Sequence, residues 1–289
     1  MSKIIDGKKI SGEIKDELKE KVDKLKVKPK LGVISVGDNP ASKVYVGQKE
    51  KCANYIGLNY DHKHYDSISD DELVKVIEKL NRDSKVNGII VQLPLPDGMD
   101  ETKIVNTIIP EKDVDGLTYL NAGLLLNNET SLVSCTPKGI MELLKREKVD
   151  LVGANAVVIG RSILVGKPMM NLLINANATV TMCHSKTKDL AKITKKADVL
   201  VVAIGKKHFI TRDMVKRGAV VIDVGINRVD GKLYGDVNYD DVYSKVKKIT
   251  PVPGGVGPMT VVMLMKNVIE AYEKQNSQVS WNNSLNMIL

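Results

Sequence analysis

The stretch Ala156-Val157-Val158-Ile159-Gly160-Arg161-Ser162-Ile163-Leu164-Val165-Gly166-Lys167-Pro168 decides the fold. Four apolar residues read as a strand, Gly160 as a tight turn, and Gly166-Lys167-Pro168 as the start of a helix. A strand that turns on glycine into a helix presents the helix's first N–H groups and its dipole, a natural seat for phosphate. The match to the G-x-G-x-x-G pattern is imperfect: Ser162 stands in place of the second glycine, and Gly166 comes one residue late. The Cβ of Ser162 holds backbone and pyrophosphate apart, so a dinucleotide is expected in a pose different from the usual one. A plain glycine turn in an α/β unit reads the same way, and the next strand separates the two.

That strand, 179–183, ends in His184-Ser185-Lys186-Thr187. An NAD site usually has an acid there, on the ribose 2′-hydroxyl. Here hydroxyl and cationic groups stand instead, with Arg161 on the preceding turn. This set suits a 2′-phosphate and hence NADP. One charge-assisted hydrogen bond, worth ~1.5–3 kcal/mol, gives a preference of roughly 10- to 150-fold.

Further out, short β-branched runs alternate with helical patterns. Strands are expected at 31–36, 88–93, 156–160, 199–204 and 219–224, most of them apolar throughout, as strands covered on both faces are. Ser69 with Glu72 forms a capping box for a helix over 73–80. Thr136-Pro137 reads as N-cap and first residue of a helix over 139–146. A further helix is expected over 259–273, and Asn127-Asn128-Glu129-Thr130-Ser131 reads as a turn near a boundary. The alternation makes the protein α/β with mostly parallel sheets. Its 289 residues give a prior of about two domains.

Composition narrows the class. The chain is 43% apolar and 27% charged, an ordinary globular balance. Net charge is +8, but the basic set is 37 Lys and 6 Arg, interleaved with acids. Nucleic-acid readers favour Arg for bidentate contacts, so no nucleic-acid partner is expected. A mild positive field suits anionic small molecules. Cys52, Cys135 and Cys183 are far apart and show no pairing pattern, which points to a reducing compartment and buried thiols. No leader and no membrane-length apolar run is read, and a cytoplasmic protein is expected. His62 and His64 share a strand face without a third ligand nearby in sequence, so no metal is expected.

Catalytic candidates lie in the first half. Ser42, Tyr45 and Lys49 fall at i, i+3 and i+7, one face if 41–56 is helical. A Tyr and a Lys one turn apart can share a proton network, and a desolvated Lys can serve as acid or base. Gln92 ends the apolar run 88–93, where ligands gather in α/β sheets. Pro110-Glu111-Lys112-Asp113-Val114-Asp115-Gly116 reads as an acidic turn, a solvated loop on its face. After Thr250, Pro251-Val252-Pro253-Gly254-Gly255-Val256-Gly257-Pro258 is too rich in Gly and Pro for helix or strand.

These motifs together resemble the bifunctional methylenetetrahydrofolate dehydrogenase/methenyltetrahydrofolate cyclohydrolase family. The resemblance rests on Tyr45-Val46-Gly47-Gln48-Lys49, Val91-Gln92-Leu93-Pro94-Leu95-Pro96, 110–116, Gly160-Arg161-Ser162 with Val165-Gly166-Lys167-Pro168, and 251–260. It runs in the family's order over residues 1–275. It implies oxidation of 5,10-methylenetetrahydrofolate by NADP⁺, then hydrolysis of the methenyl product to 10-formyltetrahydrofolate. It also implies an N-terminal catalytic α/β domain, residues 1–137 with 259–289, and a Rossmann-type NADP-binding domain, residues 138–258, with the active site in the cleft between them. Lys49, Tyr45, Gln92 and Asp115 are implied as catalytic. Ser42, Val91, Leu93, Pro253, Gly254 and Gly255 are implied with them at the folate. Gly160, Arg161, Ser162, Ser185 and Ile226 are implied at the cofactor. A homodimer serving purine biosynthesis is implied as well.

Two departures stand out. Leu117-Thr118-Tyr119 follows Asp115-Gly116 where the family commonly has an aromatic and His-Pro, and Gly123-Leu124-Leu125 replaces Gly-Arg-Leu. The rival is a two-domain NADP oxidoreductase of the shikimate-dehydrogenase type, which leaves 92–96 and 253–258 unexplained.

Overall fold

In the computed structural model, residues 2–129 and 132–286 are described, with side chains through residue 277. The chain divides into two compact units. The first comprises Glu13–Val133 and Val261 onward; the second comprises the residues up to Gly12 and Ser134–Thr260. Among the described residues no helix is long and apolar enough to cross a membrane.

The first unit holds most of α1 (Gly7–Asp23), then β1 (Lys30–Val36), α2 (Pro40–Ile56), β2 (Asn59–Tyr65), α3 (Asp70–Arg82) and β3 (Gly88–Val91). Short helices α4 (Glu101–Asn106) and α5 (Tyr119–Leu126) follow. The strands are parallel in the order β2-β1-β3. β1 and β3 are buried, which is why they read as apolar runs. β2 and β3 are both outer strands, but β2 is exposed or half-buried along its length, and its sequence Asn-Tyr-Asp-His-Lys-His-Tyr carries little strand signal. The α3 capping box forms as read, with Ser69 and Glu72 bonding reciprocally. Ile34, Val36, Leu73, Ile77, Leu80, Ile89 and Val91 make one core cluster between α3 and the sheet.

The acidic turn at 110–116 is not the solvated loop its composition suggests. Lys112 and Asp113 are buried. The Lys112 ammonium donates to the carbonyls of Leu80, Asn81 and Asp83 at 2.7–3.0 Å, closing the C-terminus of α3. Asp113 accepts from the N–H groups of Gly116 and Thr118 and from the Asn121 amide at 2.8–2.9 Å. Both buried charged side chains of the turn thus have partners that fix it in place.

The second unit holds α6 (Cys135–Arg146), β4 (Asn155–Ile159), α7 (Gly166–Asn175), β5 (Thr179–Cys183), α8 (Leu190–Thr194), β6 (Val199–Val202) and β7 (Val220–Asp223). The hairpin β8 (Asn227–Val229) and β9 (Lys232–Tyr234), then α9 (Tyr239–Tyr243) and β10 (Lys248–Ile249), complete it. The five-stranded sheet is parallel, ordered β10-β7-β6-β4-β5, so its winding reverses between β4 and β6. Open α/β sheets bind ligands at that reversal. α10 (Val256–Asn286) begins here, and from Val261 it belongs to the first unit.

Several expected boundaries move. α6 starts at Cys135, with Ser134 and not Thr136 at the N-cap. The Ser134 hydroxyl is drawn instead to the Leu164 carbonyl, 2.8 Å, and Thr136 bonds Thr260, 2.9 Å. The run 199–204 stops being strand at Val202, because the buried Asp236 carboxylate takes the N–H groups of Ile204, Gly205 and Lys206. The helix expected over 259–273 spans Val256–Asn286. In the turn at 127–131, Asn128 has φ 57°, while Thr130 and Ser131 lie outside the described residues. So does the Trp281 side chain. All three cysteines are buried, and burial pushes the Cys52 thiol up to about 11.

Candidate functional site

In the first unit α2 is built to present its polar face. Asn39 caps it by accepting from the N–H groups of Ala41 and Ser42, Pro40 starts it, and Gly57 ends it in the left-handed conformation. Ser42, Tyr45 and Lys49 share this helix as spaced, but their burial differs: Ser42 is buried, Tyr45 is 43% exposed and Lys49 is intermediate. Ser42 Oγ is a buried side-chain polar atom with no hydrogen-bond partner. Such a group in a packed interior is costly unless something else bonds it.

Lys49 Nζ donates to Gln92 Oε1 at 2.7 Å, joining α2 to the end of β3. Gln92 is buried, its backbone N–H still donates to Ile34, and its side-chain amide donates to the Leu93 carbonyl, 2.6 Å. That second bond fixes the amide, so its oxygen faces the lysine. The strand itself ends at Val91, short of the expected residue 93. Val91 points into the core, which leaves it only a backbone role at a ligand, whereas Leu93 is half-buried. Glu101 accepts from Leu95 N–H at 2.8 Å and holds the loop that follows. Asp115 is half-buried beyond the Asp113 turn. Asn267 of α10 braces its neighbour, donating to the Val114 carbonyl at 2.7 Å and to that of Val133 at 2.9 Å.

His62 and His64 both bond Ser35 Oγ, at 2.8 and 3.0 Å. Sequence offered them no third ligand, but the fold brings Asp38 and Asp66 beside His64. All three are exposed, and Lys43 pairs with Asp38 at 2.7 Å.

In the second unit two glycines let backbone pack directly on backbone beside the crevice position between β4 and β6. Gly160 has φ 118°, and a Cβ there would stand 2.3 Å from the Ala203 carbonyl oxygen. A Cβ on Gly166 would stand 2.1 Å from the Gly160 carbonyl oxygen. Ser162 does more than replace a glycine. Its hydroxyl accepts from the N–H groups of Val165 and Gly166, at 3.2 and 3.5 Å, and its carbonyl accepts from Lys167 at 3.0 Å. Pro168 has no N–H and Met169 bonds Val165. The first turn of α7 is therefore already satisfied, which corrects the expectation of free N–H groups waiting for phosphate.

The polar groups for a cofactor are side chains around that turn. Arg161 and Ser162 are exposed on it, and Ser185 and Lys186 are exposed just after β5. No carboxylate ends β5. Ile226, 49% exposed, follows β7 and approaches Gly257. A tight glycine turn with a cationic, hydroxyl-bearing rim fits a phosphorylated dinucleotide. Pro253, Gly254 and Gly255 lie in the same unit, immediately before α10, and Gly254 has φ 104°.

Comparison with known proteins agrees with both halves. Residues 5–115 match the family model described as tetrahydrofolate dehydrogenase/cyclohydrolase, catalytic domain, and residues 134–276 match the NAD(P)-binding domain of the same enzymes. The bifunctional protein FolD of Agathobacter rectalis is 52% identical over 279 residues, covering 95% of this chain and all of that protein. The crystal structure of FolD from Campylobacter jejuni aligns with TM-score 0.93 at 47% identity, over 94% of this chain and 99% of that one. The Trypanosoma brucei enzyme, solved with NADP cofactor and inhibitor, aligns with TM-score 0.88 at 36% identity, over 94% and 97%. A shikimate dehydrogenase from Aquifex aeolicus, at 18% identity and TM-score 0.51, shares the fold alone.

Proposed function

The chain belongs to the tetrahydrofolate dehydrogenase/cyclohydrolase family, and from that membership we propose how its residues divide the work. It is a bifunctional enzyme that oxidises 5,10-methylenetetrahydrofolate with NADP⁺ and hydrolyses the methenyl product to 10-formyltetrahydrofolate. Its cofactor is NADP.

In our reading, residues 1–137 with 259–289 serve the folate and residues 138–258 serve the cofactor. Bound NADP⁺ supplies the hydride acceptor. Arg161 and Ser185 hold its 2′-phosphate, Gly160 and Ser162 shape the turn beside it, and Ile226 packs against it. Asp115 pairs with the amino and N–H groups of the pterin. Backbone at Pro253, Gly254 and Gly255 approaches folate and nicotinamide, while Ser42, Val91 and Leu93 complete the folate pocket. The unpartnered Ser42 Oγ supports this, since a ligand polar atom would satisfy it. Hydride transfer needs no proton from the protein; the residues align donor and acceptor carbons.

Hydrolysis does need proton handling. Water adds to the methenyl carbon and loses a proton to a base; as the carbon–N5 bond breaks, N5 takes a proton from an acid, and the hydroxyl left on carbon releases its own proton to solvent as the formyl carbonyl forms. We assign both transfers to Lys49, with Gln92 fixing its amine and Tyr45 beside it. A positioned acid/base contributes ~10²–10⁴-fold. The observation that carries this reading is the 2.7 Å Lys49–Gln92 bond, with the Gln92 amide locked by the Leu93 carbonyl. By family resemblance we also propose a cytoplasmic homodimer, formed through the cofactor unit and serving purine biosynthesis.

The test follows NADPH and the methenyl absorbance together, in wild type and in Lys49→Ala. Wild type is expected to form NADPH without lasting methenyl, and the variant to accumulate methenyl. Absence of NADPH in wild type would overturn the dehydrogenase assignment for this chain.

A further inference from the structure

The first residues of the chain lie against the glycine loop. Ile5 N–H donates to the Ile249 carbonyl at 2.9 Å and Ile249 N–H to the Lys3 carbonyl at 2.8 Å, so residues 3–5 add a parallel bridge to β10. Ile5 is fully buried there. Asp6 then caps α1, accepting from Lys9 N–H at 2.9 Å. A helix start leaves its first N–H groups without intrahelical partners. The one on Lys8 donates to the Gly254 carbonyl, 2.9 Å.

Gly7 makes the approach possible. A Cβ on Gly7 would lie 1.8 Å from the Gly255 carbonyl oxygen and 2.6 Å from its carbon. These are backbone atoms, with no side-chain rotation to relieve the overlap. The loop has no room to retreat either. A Cβ on Gly255 would meet the Pro251 carbonyl oxygen at 2.5 Å and Thr250 Cβ at 2.7 Å. Residues 254–255 are thus held between Thr250-Pro251 on one side and Gly7-Lys8 on the other.

We propose that residues 3–8 form a strap that sets the position of the Gly254-Gly255 backbone, with Gly7 and Lys8 acting as positioning residues for hydride transfer. The inference rests on the assignment of that loop to folate and nicotinamide. Displacement of about 1 Å in a reacting geometry can cost on the order of 10²-fold in rate. The Lys49–Gln92 pair lies in the other compact unit, so the hydrolytic step is the internal control.

Two variants test it. Gly7→Ala inserts the overlapping methyl. Lys8→Pro removes the N–H that bonds Gly254, together with an exposed side chain, at a first-turn position where proline is tolerated, and the preceding glycine lacks the Cβ that disfavours a helical residue before proline. The expected result is a fall in dehydrogenase kcat of about tenfold or more for Gly7→Ala and about threefold or more for Lys8→Pro, in the range that small misplacements produce. Cyclohydrolase kcat should stay near wild type in both, and amide exchange over residues 254–257 should accelerate. Dehydrogenase kcat unchanged in both variants, or both activities falling together with the melting temperature, would overturn the positioning role. If wild type itself forms no NADPH, the functional assignment fails. Amide exchange then decides the strap alone, and unchanged protection at 254–257 overturns it.

Discussion

The two compact units solve the problem of ligand recognition in opposite ways. In the first, the candidate site is made of side chains that reach across elements, as Lys49 of α2 reaches Gln92 beyond β3. In the second, the candidate crevice is framed by backbone packed on backbone, with Gly160 against Ala203 and Gly166 against Gly160. The contrast follows from chemistry. Opening a carbon–nitrogen bond with water moves protons, and protons need titratable or hydrogen-bonding side chains. Holding a flat, phosphate-bearing dinucleotide needs close backbone approach and a few charges at the rim. Substitutions should therefore act through lost function in the first case and through disturbed backbone packing or lost charge in the second.

The largest effect is expected at Lys49. Lys49→Ala should lower cyclohydrolase turnover by ~10²–10⁴-fold while NADPH formation persists. A comparable loss of both activities would erase the proposed division between the two sites. Next comes the rim of the crevice. Arg161→Ala should reduce the preference for NADP⁺ over NAD⁺ by roughly 10- to 150-fold, read as the ratio of kcat/KM values. An unchanged ratio would move 2′-phosphate recognition to Ser185 and Lys186.

Lys112 sharpens the comparison from the structural side, because it is a buried lysine with no assigned catalytic part. Burial lowers its pKa, and three carbonyls hold its ammonium in place. Lys112→Met should leave those carbonyls unpaired and cost about 2–3 kcal/mol, seen as a lower midpoint in urea, with turnover per folded molecule preserved. Loss of turnover without loss of stability would instead place Lys112 in the reaction.

The smallest effect concerns Asp223 of the second unit. Burial, with a smaller contribution from Asp236, raises its carboxyl to about 7, against the pull of backbone N–H groups from Val237, Asp236 and Gly225. A carboxyl whose folded pKa is raised binds its proton more tightly when folded. Its stabilisation is present at low pH and is lost as pH rises towards 7. Between pH 6 and 7 wild type should lose about 1 kcal/mol relative to Asp223→Asn. Parallel unfolding midpoints of the two proteins across that interval would show that Asp223 is ionised throughout.

Legibility differed between elements for identifiable reasons. The buried strands β1, β3, β4, β6 and β7 announced themselves through apolar runs, and α3 through its capping box. β2 did not, since its side chains are exposed or half-buried and partners such as Ser35 are polar, which frees its sequence from the apolar pattern. Nor did the hairpin of β8 and β9, two three-residue strands. The strand end at Val202 depends on Asp236, a residue more than thirty positions away.

What the sequence determined by itself was local and compositional: alternation of strand and helix, a glycine turn before α7, no acid after β5, and a Ser-Tyr-Lys spacing on one helical face. Each is encoded within a few consecutive residues, where periodicity and turn chemistry act. The family resemblance named the functional candidates, and only the tertiary structure decided which neighbouring polar residues are internal fittings. Asp113 and Asp115 stand two residues apart in one turn, yet the first is consumed by three hydrogen bonds within the turn and its neighbouring helix. Lys49 and Lys112 are both lysines near apolar segments, yet one meets an amide and the other closes a helix. Burial and partner choice are set by chain segments distant in sequence, and that is why periodicity and composition alone did not show Lys112 and Asp113 to be internal.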